Sequence, residues 1–599
     1  SEYTMGWARE TMDRTGRVIE SESFDGSGLP APWGTNSNSM GKVTVAYDAN
    51  YTTTTDQAGK VKRTRVNGLG KLDRTDEPNS ANSLGAQDTP IQPTYYTYDA
   101  LGRLTQVSQG VQTRSFVYSS LSRLLSATNP EKGGPDTYEY DANGNATKQT
   151  DARGWYAMST YDELNRVKTI DYSNTAVSPD IKRFYDNPTA GKYGKGRYWY
   201  DYAGGDATTG QTVENSSVDG YDILGRPLSL TQKFKTNGTW SAAFTTSHAY
   251  DLAGNVKEKI LPSLHKLTYS FDAIGRLSQM VGNIGDGVQR TYTTGITYNS
   301  AGQMAREQFG TTTPLYHNRH FNNRGQLYDV RLGTVGSDEW TWNRGALRIY
   351  NNANSTVGNG GTSNNGNVYR VDHFVPLNDA VTAWFMPVDY YGFDELNRIT
   401  GIWEQTYDST GYANYNTLNQ TYGYDRYGNR AVSGTLNVSS PSFKYVAASN
   451  RQKAPTDSDT DSVTDKMRYD AVGNLIKDIH TQGGTGDRTY DINNQMLTAV
   501  GPSGLLNTYA YDAAGHRVRR SINNGQSVWW QVYGIGGEVV AEYAAGASPA
   551  LPQKEYGYRQ GELLVVGDVA AGCITRWLVT DQVGTPRILA DTTGSLAGI

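Results

Sequence analysis

The sequence predicts an all-β protein of serial β-hairpins running into a long spiralling sheet, and three observations support this. A seven-residue phrase keeps returning: YDALGRL from Tyr98, YDILGRP from Tyr221, YDLAGNV from Tyr250 and FDAIGRL from Phe271. The composition, with 66 Gly and 43 Tyr among 599 residues and a mean hydropathy of −0.62, suits strands and tight turns better than helices. Long aliphatic stretches are missing, and no run of about 18 apolar residues occurs that would make an ordinary transmembrane helix.

The phrase recurs with a period. Tyr98, Tyr118, Tyr140 and Tyr161 open successive units, the step returns from Tyr250 to Phe271, and it appears again through Tyr469, Tyr490 and Tyr511. The step is about 21 residues, stretched in places by insertions. Within each unit, segments such as Tyr95-Tyr96-Thr97-Tyr98 and Thr137-Tyr138-Glu139-Tyr140 alternate with the two-residue period of a strand whose faces differ. The aspartate after the tyrosine accepts from backbone N–H groups just ahead, the Gly or Asn three residues on supplies a positive φ, and the following Arg-Leu or Asn-Leu starts the return strand. One unit is one hairpin, and twenty-five to thirty of them are expected. A two-stranded hairpin is marginal alone, so neighbours must pair edge to edge into a strip that coils or closes. With too little aliphatic material for two thick layers throughout, a spiral wall enclosing space is the expected outcome. Polar excursions at about 75–93 and 325–389 interrupt the series. The second holds the Asn-rich stretch Asn351 to Asn367, expected as an exposed loop or elongated hairpin.

The motif Tyr-Asp-x-x-Gly-Arg/Asn-Leu, from Asp13 to about Arg517, resembles the YD or RHS repeat. Its residues include Tyr98, Asp99, Gly102 and Arg103; Tyr140, Asp141 and Gly144; Tyr161 and Asp162; Tyr221, Asp222, Gly225 and Arg226; Tyr250, Asp251 and Gly254; Asp272, Gly275 and Arg276; and Tyr511, Asp512 and Gly515. The segment from Arg576 to Leu589, with Asp581, Gly584, Thr585, Pro586 and Arg587, is similar to the signature that closes the RHS core, as is KEYGYRQGELL from Lys554. The resemblance implies a repeat shell over 1–504 and a continuous core-closing segment over 505–599. It also implies a hollow cocoon of the kind found in bacterial RHS polymorphic toxins, Tc toxin C subunits and teneurins. In the bacterial groups the shell carries a variable toxic C-terminal domain, released by a self-cleaving aspartyl site beyond the core. That site is expected downstream of Ile599, so no catalytic residue is assigned.

Other candidates weigh less. The tyrosines are expected to form an aromatic ladder across the sheet more than a set of sugar platforms. Arg103, Arg226 and Arg276 are expected to fix register by reaching the turn aspartate or the next hairpin. Asp457, Asp459, Asp461 and Asp465 have the oxygen spacing of a calcium loop. Ser462 stands where that loop needs Gly and Arg468 where it needs Glu, which favours a solvated acidic loop. His317 and His320 lack further zinc ligands nearby in sequence. Cys573, the single cysteine, reads as a small buried residue and excludes an internal disulfide. No nucleotide-binding loop or nucleophile elbow is present, and no cofactor is expected.

A net charge of −5 without basic clusters argues against nucleic acid or anionic membrane partners. The expected function is a non-catalytic, secreted or cell-surface RHS-repeat shell that encapsulates and helps deliver a C-terminal effector polypeptide. Secretion machinery or a surface receptor would be its further partners. The alternative is an extracellular adhesion or carbohydrate-binding scaffold.

Overall fold

The computed structural model describes residues 6–598 apart from 30, 31, 33, 35–37, 175–179, 207–210, 218, 237, 353–360, 437–442, 479–485 and 502. Among the described residues there are 48 strands and no helix, slightly fewer strands than the expected hairpin number requires. The chain divides into two compact units, one of Ser1–Val111, Thr291–Ser442 and Arg576–Ile599, the other of Gln112–Arg290 and Phe443–Thr575. The boundary expected at 504/505 falls inside the second unit.

In the first unit, antiparallel pairing follows chain order from Trp7–Met12 to Leu104–Gln109. It does so again from Arg290–Tyr298 to Arg430–Leu436. In the second unit the series runs from Gln112–Tyr118 to Leu277–Gly282. A second series there runs from Arg488–Tyr490 to Glu562–Asp568. The register slips at the motif tyrosine in hairpin after hairpin: Thr97 faces Gln106 but Tyr98 faces Leu104, and the same shift occurs at Tyr140, Tyr161, Tyr250, Phe271 and Tyr511. Each slip is a β-bulge beside a turn, which adds local twist to the sheet.

One expectation needs correction. The excursion over 325–389 is mostly regular sheet: Leu327–Gly333, Ala346–Tyr350, Arg370–Pro376 and Trp384–Phe393 pair in series. Val330, Leu332, Leu347, Ile349 and Val388 of these strands are buried, as are Asn352 and Asn364. Residues 353–360 of the Asn-rich stretch, Gly358, Asn359 and Gly360 among them, lie outside the described residues, as does Ile599. Apolar side chains are packed in layers locally, which the expectation about the whole sheet leaves open. In the second unit Phe234 packs on Trp530 with ring centroids 4.1 Å apart, and Phe244 on Tyr543 at 4.7 Å. Leu261, Leu267, Met280, Val540 and Val565 of the same unit are also buried. Composition averages hide this concentration of apolar residues in a few strands.

The smaller excursion is held down by charge. Arg63 and Arg74, both buried, clamp Asp76 with Nε–O distances of 2.7 and 2.8 Å, and their remaining N–H groups donate to the carbonyls of Gly85, Ala86 and Gln87. Planar guanidinium groups suit such multidentate bonding.

Candidate functional site

The repeated turn is the chemical unit of this chain. In the Asp99 copy, the Arg103 carbonyl accepts from the Asp99 N–H at 3.0 Å and the Asp99 carbonyl from the Gly102 N–H at 2.9 Å. The Asp99 carboxylate accepts from the N–H groups of Leu101 and Arg103 at 3.0 and 2.9 Å, and from Arg103 Nε at 2.6 Å. Asp222 with Arg226, Asp272 with Arg276 and Asp162 with Arg166 repeat the pattern. Asp141 with Asn145 and Asp251 with Asn255 use an amide in place of the guanidinium. The backbone N–H and then the guanidinium of Arg103 hold the Asp99 carboxyl below the usual carboxylate range. In each of these copies both carboxylate oxygens accept hydrogen bonds within the turn.

The fourth turn position needs a left-handed backbone: φ is +74° at Gly102, +84° at Gly225 and +85° at Gly275, with Asn at +60° in position 165 and +62° in position 397. At Gly275 no atom lies within 4 Å of where a Cβ would sit, so conformation alone decides. Gly275→Asn is expected to melt close to the parent. Gly275→Val should cost about 1–2 kcal/mol, as a drop in thermal midpoint, because a β-branched residue resists positive φ.

Successive turns are linked in two ways. Motif tyrosines donate their hydroxyls to a carbonyl just past the preceding turn: Tyr98 to Leu72 at 2.7 Å, Tyr140 to Leu124 and Tyr161 to Ala146 at 2.8 Å, and Tyr511 to Met496 at 2.8 Å. The arginine of one turn then covers the tyrosine of the next, Arg226 over Tyr250 at 4.6 Å and Arg398 over Tyr424 at 4.5 Å. Their guanidinium groups also donate forward, Arg226 to the Asp251 carbonyl at 2.9 Å and Arg398 to the Asp425 carbonyl at 3.1 Å. The expected ring-on-ring ladder is thus replaced, at these positions, by a chain of phenol-to-carbonyl and cation-to-ring contacts.

The closing segment contains one more copy of this turn. Asp581 accepts from the N–H groups of Val583 and Thr585 at 3.0 Å and from Arg587 Nε at 2.8 Å, and Gly584 has φ +83°. Pro586 displaces the arginine by two positions. Nearby, Trp577 donates its indole N–H to the Tyr292 carbonyl at 2.9 Å and stacks on Phe309.

Asp457, Asp459, Asp461 and Asp465 are all engaged by protein groups. Asp457 accepts from the N–H groups of Ala454, Lys466 and Met467. Asp459 pairs with Lys444 at 2.8 Å, Asp461 with Arg451 and Lys453, and Asp465 with Lys453 at 3.1 Å. The ammonium of buried Lys453 meets Asp461, Asp465 and the Met467 carbonyl, so a protein cation already serves these oxygens. Two features were invisible to sequence spacing. His317 Nδ1 lies 2.7 Å from buried Glu307 on the adjacent strand, and His320 stacks on Trp340 with centroids 4.2 Å apart. Cys573 is exposed at φ +63°, against the expected burial, because it sits at a turn and not on a strand.

The family profile described as RHS Repeat matches residues 140–177. Among solved structures, TcdB2-TccC3 without its hypervariable C-terminal region matches with TM-score 0.75 at 13% identity, over 99% of this chain and 30% of that one. The chain carries an RHS repeat. TcdB2-TccC3 itself matches with TM-score 0.75 at 13% identity over 100% of this chain and 31% of the other. A Photorhabdus luminescens Tc holotoxin pore carrying a TccC3 point mutation matches with TM-score 0.74 at 14% identity, over 100% and 30%. The chain spans about a third of the length of these chains. No curated protein sequence matches it. Among the described residues no helix is long and apolar enough to cross a membrane.

Proposed function

We propose that this chain is a non-catalytic, secreted or cell-surface RHS-repeat wall that surrounds an effector polypeptide and takes part in its delivery. The observation that carries the reading is the match of nearly the whole chain to the TcdB2-TccC3 structures, one of which is described as lacking a hypervariable C-terminal region. The turn lattice supports it: the turn aspartates place both carboxylate oxygens on groups of their own turn, which suits a structural wall. Confinement then does the work. A chain held within a small volume loses the freedom it needs to fold and is screened from the producing cell.

The test joins a reporter polypeptide after Ile599 and exposes the purified fusion to protease. The reporter is expected to survive about tenfold longer than the same reporter joined to an unrelated β-protein, because cleavage requires opening of the wall. Equal digestion rates would reject enclosure. The carbohydrate-binding alternative loses ground at Tyr250 and Tyr424, where a guanidinium already covers a face of the ring.

A further inference from the structure

The motif turns of the second unit lie side by side along one edge of its first strand series. Arg123 donates to the carbonyls of Asp141 and Ala142 at 2.6 and 3.0 Å, Asn145 to Asn165 Oδ1 at 2.8 Å, Arg166 to Asp186 at 2.5 Å and Arg226 to the Asp251 carbonyl at 2.9 Å. Two strand spacings separate neighbouring turns, so they stand about 10 Å apart. The tips of this rim are aliphatic: Leu121, Leu164, Ile223, Leu224, Leu252 and Ile274 are each at least 65% exposed. The turn does not call for them, since the Asp141 copy closes with Ala142 and Asn143 at the same places and keeps the same hydrogen bonds.

Later hairpins of the same unit show what such tips do when they are covered. Val472 and Ala513 hold the corresponding turn positions and are only 8% and 5% exposed. Ala513 belongs to an apolar cluster with Tyr172, Ile181 and Ala203, and Ile492, at the tip of the turn before it, packs against that cluster. The Ala471 carbonyl accepts from the Gly133 N–H at 2.7 Å and the Ala513 carbonyl from Arg183 at 3.0 Å. Turn tips of this chain therefore serve as packing surface against another run of the same kind of sheet. Along the first series the same positions carry larger aliphatic side chains and stand in solvent, and a row of that kind marks an interaction surface.

We propose that two copies of this chain join through this rim, edge against edge about a twofold axis. Such a contact asks that the surface complement itself, and three features meet that condition. Tips repeating at about 10 Å fit between those of an antiparallel copy, and the small Ala142–Asn143 turn leaves a gap in the row. The charges cancel within each turn, Asp162 on Arg166, Asp222 on Arg226 and Asp272 on Arg276, so the two rims meet without like-charge repulsion. At roughly 100 Å² for each tip, the six tips bury on the order of 600 Å² per copy. Flanking turn atoms bring this near the ~800 Å² per partner of a standard interface. A bilayer offers no matching repeat, and the net charge of −5 works against an anionic one.

The test is analytical ultracentrifugation of the purified full chain over a range of about 0.1–50 μM. A reversible dimer of twice the 65.7 kDa chain mass is expected, with a dissociation constant of about 1–10 μM. The triple variant Leu164→Asn, Leu224→Asn, Ile274→Asn places at three tips the residue that the Asp141 turn already uses, so the fold is kept, as an unchanged circular dichroism spectrum would report. Its dimer should weaken by about a hundredfold or more. A parent chain that stays monomeric across the range, a dimer that the folded triple variant leaves intact, or open-ended oligomers in place of a dimer would each overturn the proposal. So would monomers that float with phosphatidylcholine vesicles through the same three residues, which would assign the rim to lipid.

Discussion

Glu555→Ala is expected to lower stability by about 3–5 kcal/mol, read as a fall in the urea midpoint of the second unit. Glu555 stands in the closing run KEYGYRQGELL and is fully buried. Its carboxylate takes the Ser263 hydroxyl, His265 Nδ1 at 2.5 Å and the Gly285 N–H at 2.7 Å. One side chain thus fastens the closing run to two turns nearly three hundred residues earlier. Truncation leaves three donors without a partner and opens space where backbone approach is already tight, since a Cβ on Gly567 would meet Gly285 Cα at 2.7 Å. Glu555→Gln keeps an acceptor and should lose less, about 1–2 kcal/mol. The hydrogen bond to Glu555 raises the His265 imidazole, with burial opposing and the carboxylate charge assisting. A raised folded-state value means that this contribution is complete below the ordinary histidine value and fades as pH rises through the raised one. The penalty for Glu555→Ala should therefore be larger at pH 6 than at pH 9. An equal penalty at both would exclude a charged His265 from the clamp.

The contrast between such clamps and the turns explains what could be read in advance. Asp99, Gly102 and Arg103 lie within five residues, so their chemistry is local and the spacing itself carries the information. The bulge at Tyr98 was hidden because it depends on which residue the partner strand offers. The strands over 325–389 were masked by asparagine, whose polarity reads as loop even where Asn364 is buried and bonded to Gln326 at 2.7 Å. Glu555 offered no signal at all. Its partners are fixed by how hairpins remote in sequence come together, and nothing within its own segment distinguishes it from a surface glutamate on a strand.

Asp201→Asn is expected to do the opposite of Glu555→Ala and stabilise the protein above neutral pH. Asp201 is buried, and its Oδ1 has no hydrogen-bond partner. Burial first, and the charge of the nearby repeat aspartate Asp512 second, push its carboxyl up to about 7, while Arg183 and hydrogen bonds from Tyr198 and Asn215 pull the other way. The sign follows from proton binding. Between the unfolded value near 4 and the folded value near 7, the native protein holds a proton that the unfolded chain has released. Stability must fall as pH rises across that window, by on the order of 3–4 kcal/mol at pH 8. An amide cannot ionise, so Asp201→Asn should flatten the slope, match the parent near pH 4 and exceed it at pH 8. Denaturant midpoints at pH 4, 6 and 8 measure the difference, and parallel curves for the two proteins would refute it. Asp512 shows why this arises at one repeat. It makes the ordinary turn, accepting from the N–H groups of Ala514 and His516 at 3.0 and 2.8 Å, but its Oδ2 also takes the Asn215 amide at 3.2 Å. Where Asp99 has an arginine to spend its charge on, Asp512 has a half-exposed histidine and a buried neighbour of like charge, so the same turn chemistry becomes sensitive to pH.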